Sequence, residues 1–61
     1  MNITWDKEAR AVYIELPCEL SREHGKTVEV HGGDVHLDYN KAHEIIGIEI
    51  LNVDEPKIIA L

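Results

Sequence analysis

From Val35 to Leu51 the chain reads VHLDYNKAHEIIGIEIL, two runs of alternating apolar and polar residues on either side of a short polar break. Successive side chains on a strand point to opposite faces, so alternation on both sides of a break predicts a β-hairpin with one buried face. The break is Asn40-Lys41-Ala42-His43. A connection of this length built on a type I turn ends in a residue with left-handed backbone, which falls on His43, where a β-carbon is unfavourable. His43→Gly is therefore expected to stabilise the fold. Leu37 is expected opposite Ile46 and Val35 opposite Ile48, with Gly47 and Glu49 on the outer face.

The same argument yields two further hairpins. Gly32-Gly33 supplies two positions free to adopt positive φ between Thr27–His31 and Asp34–Tyr39. That turn pairs Val30 with Val35 and Val28 with Leu37, and sets Glu29 opposite His36 and Thr27 opposite Asp38, so both faces come out homogeneous. A loop one residue longer would mix them. Near the N-terminus, Asn2–Trp5 and Ala11–Leu16 flank the polar turn Asp6–Arg10, placing Ile3 and Trp5 on a face with Val12, Ile14 and Leu16. Thr4, Tyr13 and Glu15 point the other way. Pro17 cannot donate to a ladder and ends the second strand, and residues 18–25 form a polar surface loop. An alternative folds Cys18–Glu23 into one helical turn that lays Leu20 back on the sheet. Asn52–Leu61 holds Pro56 and the apolar run Ile58–Leu61, open between a sixth strand and a short helix. The expected fold is mainly β: one domain over residues 1–61, a small antiparallel sheet of about five strands in sequential order, built from successive hairpins.

A chain of 61 residues has room for one small core, and such domains draw on disulfides, metals or oligomerisation for stability. Cys18 is the only cysteine, which excludes an intrachain disulfide. A homodimer is expected, because a single sheet leaves its apolar face with too little to cover it. Twelve acidic against six basic residues give a net charge of −6, which repels nucleic-acid phosphate and suits either solubility or a basic protein partner. Met1 leads straight into an alternating run, with no charged n-region and no long apolar stretch. The reading is a cytoplasmic protein without signal peptide or membrane span.

No catalytic or ligand-binding motif rises above chance occurrence. Of the four histidines, His36 stands across from Glu29 with Asp38 two residues along, a set that could hold Zn²⁺. The outer face of a strand is where polar residues belong in any case, and no second histidine closes a site; neither a metal nor a cofactor is expected. Ser21, Cys18 and His24 are the only nucleophile and base candidates, all in the polar loop. Asp38 and Glu49 could act as an acid–base pair, yet a flat sheet offers no pocket to raise a pKa, so no enzymatic activity is expected.

Two segments carry a family likeness. In MNITWDKEARAVYIEL the positions are Asp6, Glu8, Ala9, Ala11, Tyr13, Ile14 and Leu16; the second segment is Leu37-Asp38-Tyr39 followed by Gly47-Ile48-Glu49-Ile50-Leu51. On these residues the chain resembles DUF2283, an uncharacterised family of small bacterial, archaeal and phage proteins. It departs from the family pattern with Trp5 for the usual Tyr, Lys7 for Pro, Arg10 for Asp and His43 for Gly. The resemblance implies a small β-rich domain without an assigned activity. Members are sometimes encoded beside toxin-like proteins, which implies an antitoxin-type role through gene neighbourhood rather than mechanism. The expected function is a non-enzymatic protein-binding module, antitoxin-like or inhibitor-like, acting through an edge strand or an acidic surface formed by Glu15, Glu29, Asp38 and Glu49. The alternative is a self-associating structural or small-ligand-binding or metal-binding protein whose oligomer creates the pocket.

Overall fold

The computed structural model describes residues 1–54. The element expected at residues 57–61 lies outside them. Five strands form one antiparallel sheet: β1 (Asn2–Asp6), β2 (Ala11–Glu15), β3 (His24–Val30), β4 (Val35–Asn40) and β5 (Ile45–Ile50). The described residues contain no α-helix.

Each hairpin is closed by local chemistry. In the β1–β2 turn, Asp6 Oδ1 accepts the Glu8 and Ala9 N–H groups, both at 3.1 Å, and Arg10 completes the reversal at φ 54. The strands then pair Ile3 with Ile14 and Trp5 with Val12. In the β3–β4 turn, Gly32 has φ 66 and ψ 20, Gly33 has φ 93, and Asp34 N–H donates to His31 O at 3.2 Å. These values describe a type I′ turn, whose twist suits a hairpin. The register is the expected one: Val30 with Val35, Glu29 with His36, Val28 with Leu37 and Thr27 with Asp38. In the β4–β5 turn, His43 has φ 67, as its place in the loop requires, and its N–H donates to Asn40 O at 3.1 Å.

Two expectations are corrected. The sheet order is β1-β2-β5-β4-β3, not sequential, because β2 pairs with β5 rather than with β3. Taken from the C-terminal side, β5, β4 and β3 are joined by hairpins and β2 lies beside β5, which is a Greek-key order. The physical reason is burial: β5, with Ile45, Ile46, Ile48 and Ile50, is the most apolar strand and takes the middle, while β3, with His24, Lys26 and Glu29, takes an edge. The second correction is register. Leu37 stands opposite Ile48 and Val35 opposite Ile50, two residues along from the expected partners. The turn pairs Asn40 N–H with Glu44 O at 2.9 Å, which continued unbroken would put Leu37 opposite Gly47 and invert one strand. A bulge at Ile46, between the pairs Tyr39–Ile45 and Asp38–Gly47, absorbs one residue and restores the faces.

The long β2–β3 connection crosses the end of β5 and β4 and is tied to their turn. It forms no helix, and Leu20 is 71% exposed rather than folded onto the sheet. Asn40, only 2% exposed, is the anchor. Its Oδ1 accepts the Ala42 and Glu44 N–H groups at 2.8 and 2.9 Å, and its Nδ2 donates to Ser21 O and Glu44 Oε1, both at 2.7 Å. The Glu44 carboxylate also accepts the Leu20 and Glu19 N–H groups at 3.0 and 3.2 Å, and Lys41 N–H donates to Glu23 O at 3.0 Å. Gly25 makes the approach possible, since a β-carbon there would lie 2.6 Å from Asn40 O.

Register sorts the two faces into rows that cross all five strands. Trp5, Val12, Ile50, Val35 and Val30 form one apolar row, and Ile3, Ile14, Ile48, Leu37 and Val28 the next. Among the described residues no second layer of secondary structure covers them.

Candidate functional site

The opposite face is polar by the same parity. Thr4, Tyr13, Glu49, His36 and Glu29 form one row, and Asn2, Glu15, Gly47, Asp38 and Thr27 the adjacent one. The four carboxylates singled out from the sequence, Glu15, Glu29, Asp38 and Glu49, therefore share one face. Their surroundings differ: Glu15 is exposed, whereas the Glu29, Asp38 and Glu49 carboxylates have side-chain partners.

Asp38 is the centre of a chain of hydrogen bonds across the sheet. Tyr13 lies across Gly47 and donates its hydroxyl to Asp38 Oδ2 at 3.0 Å, while Thr27 Oγ1 donates to Asp38 Oδ1 at 2.6 Å. His24 Nε2 is 2.9 Å from Thr27 Oγ1. A β-carbon on Gly47 would collide with the tyrosine ring and hydroxyl, so the glycine is the condition for Tyr13 to reach over β5 to β4. Partial burial, then the hydrogen bond to Asp38 and the charges of Asp38, Glu15 and Glu49, hold the Tyr13 pKa above the ordinary 10.0. The phenol is thus a proton donor to the carboxylate and not a nucleophile at neutral pH.

His36 sits between two carboxylates of its own row. Its Nε2 is 3.5 Å from Glu29 Oε1 and its Nδ1 is 3.1 Å from Glu49 Oε1. The pairing with Glu29 follows from the β3–β4 turn; the contact with Glu49 arises only because β5 is offset by two residues. Asp38 engages Tyr13 and Thr27 instead of joining His36. Among the described residues no group of three or more His, Cys, Asp or Glu side chains is arranged to hold a metal ion.

Ser21, Cys18 and His24, considered as nucleophile and base, are not brought together, and His24 opens β3 instead of lying in the loop expected over residues 18–25. Ser21 Oγ accepts the Glu23 N–H at 3.0 Å, His24 turns to Thr27, and Cys18 is a half-buried free thiol. An open depression of about 300 Å³ lies where Asp6, Ala9 and Ala11 meet Thr4, Tyr13 and Glu49. At the other end of the sheet, Glu44 has its pKa held below the ordinary 4.5 by the Asn40 amide first and then by the Leu20 N–H.

The Tyr13–Asp38 bond joins residues 25 apart in sequence and on non-adjacent strands, which no alternation rule reaches. Gly47 in the middle of an apolar strand is the sequence signal that could have found it, because a glycine there marks close approach of another group.

No helix among the described residues is long and apolar enough to cross a membrane. Residues 2–53 match the family described as protein of unknown function (DUF2283). No curated protein and no solved structure matches the chain.

Proposed function

We propose, for a chain that belongs to the DUF2283 family of proteins of unknown function, that it is a non-enzymatic protein-binding module of the antitoxin or inhibitor type. Its acidic sheet face docks on a basic protein surface. The observation that carries this reading is the gathering of Glu15, Glu29, Asp38 and Glu49 on one face of a chain whose net charge is −6. A face of one sign raises the encounter rate with an oppositely charged partner and discourages other partners. Asp38 contributes charge while its carboxylate is held by Tyr13 and Thr27; Glu15 and Glu29 stand out from the sheet as the contacts. The absence of an activated nucleophile beside a base on the described face supports binding over catalysis.

The test is co-expression with the product of the neighbouring gene. A complex should co-purify, and its association rate should fall roughly tenfold between low and physiological ionic strength. Glu15→Lys combined with Glu29→Lys should slow association by a similar factor without unfolding the protein. Asp38 is unsuited to such a reversal, because its replacement breaks the bonds to Tyr13 and Thr27. No complex, or one whose association rate ignores both salt and the substitutions, refutes the proposal.

A further inference from the structure

We propose that a second copy of this chain covers the apolar face, the two sheets stacking face to face as a β-sandwich whose acidic faces both look outward. A β-sheet with one apolar face must bury it against another layer, and the described residues supply none. The two apolar rows run the full width of the sheet without a charged residue, and Ile3 at the end of one is 43% exposed.

Two observations select a second copy. The first is size. Five strands spaced about 4.8 Å apart, five to seven residues long at about 3.3 Å each, give a footprint on the order of 450 Å² per sheet. With side-chain relief, two such faces bury about 1,000 Å², the lower limit for a specific interface. The second is charge. A chain of net charge −6 resists self-association unless carboxylates are kept from the contact, and here Glu15, Glu29, Asp38 and Glu49 occupy the face turned away from it. Stacked sheets lie about 10 Å apart before the outward side chains are added, so the two acidic faces stand beyond a Debye length at physiological salt. The cation on the apolar side, Lys26, sits at the edge with its ammonium 5.2 Å from the centroid of the Tyr39 ring.

Trp5 is the only tryptophan and belongs to one of the apolar rows, so the unmodified full chain reports on its own face. Sedimentation of the full chain should give the mass of a dimer, and dilution from roughly 100 to 1 μM should shift the tryptophan emission to the red as the mass falls. Val28→Lys, on the apolar face of the edge strand β3, should yield a monomer that keeps its strand content. Thr4→Lys, on the polar face, should leave the dimer intact. If Val28→Lys does not fold, the concentration dependence of the wild-type emission decides alone. A wild-type monomer at the highest concentration overturns the proposal, whether its own tail or a different protein then covers the face. A dimer that survives Val28→Lys with unchanging tryptophan emission also overturns it, in favour of edge-to-edge pairing.

Discussion

The two hairpin turns that flank β4 both reverse the chain and differ in what occupies their central positions. The β3–β4 turn places glycines at φ 66 and φ 93 between His31, itself at φ 52, and Asp34, whose carbonyl accepts the Leu51 N–H and whose carboxylate accepts the Asn52 amide, both at 2.8 Å. The β4–β5 turn places His43 at φ 67, a conformation that costs a residue with a β-carbon about 1–2 kcal/mol. It persists because Asn40 satisfies two of the turn's N–H groups and ties the turn to Ser21 and Glu44. The two central residues of the β3–β4 turn meet their positive φ by lacking a β-carbon, whereas His43 in the same backbone region is held there by the hydrogen bonds of Asn40. Arg10, at φ 54, is also held from outside its turn: Val53 N–H donates to its carbonyl at 2.9 Å and its guanidinium pairs with Asp54.

The sharpest way to break the contrast is Asn40→Ala. It strands the Ala42 and Glu44 N–H groups and the Ser21 carbonyl in a nearly closed site, and should destabilise the protein by roughly 2–4 kcal/mol in chemical denaturation. Amide exchange should then accelerate across residues 40–44 and 19–23 more than in the glycine turn; uniform acceleration would mean that the two turns do not differ in the way argued.

The next effect is on pH dependence. The Glu44 pKa is lower in the folded chain than the ordinary 4.5, so its contribution is complete above that value and is lost as pH falls through the lowered one. Denaturation midpoints should therefore drop on the acid side less steeply for Glu44→Gln than for the natural protein. Parallel acid limbs would remove Glu44 from the account.

The smallest effect has the opposite sign. His43→Gly should stabilise by about 0.5–1 kcal/mol, the relief of backbone strain being partly offset by the greater freedom of glycine in the unfolded chain. A lower midpoint for the glycine variant would show that the histidine side chain makes a favourable contact there.

The candidate face divides along the same line. That Glu15, Glu29, Asp38 and Glu49 lie together was legible, because each sits at an outward position of a strand already evident from alternation. The tyrosine bridge to Asp38 and the seating of His36 beside Glu49 were not. Each depends on β5 standing two residues along from the simplest hairpin register, and a shift by two leaves every side chain on the same face.

Alternation and turn chemistry alone specify the five strands, the three hairpins, the pairing of β3 with β4 and the division into an apolar and an acidic face. All of these follow from interactions a few residues apart, the period-two pattern and the turn chemistry of Gly32-Gly33. It takes the assembled sheet to put β5 at the centre, to set its register with a bulge at Ile46, and to pin the β2–β3 connection by Asn40 and Glu44. Alternation states which way a side chain points and is silent on which strand lies next to which. That choice belongs to the burial of the whole sheet and to the hydrogen bonds its crossing loop must find.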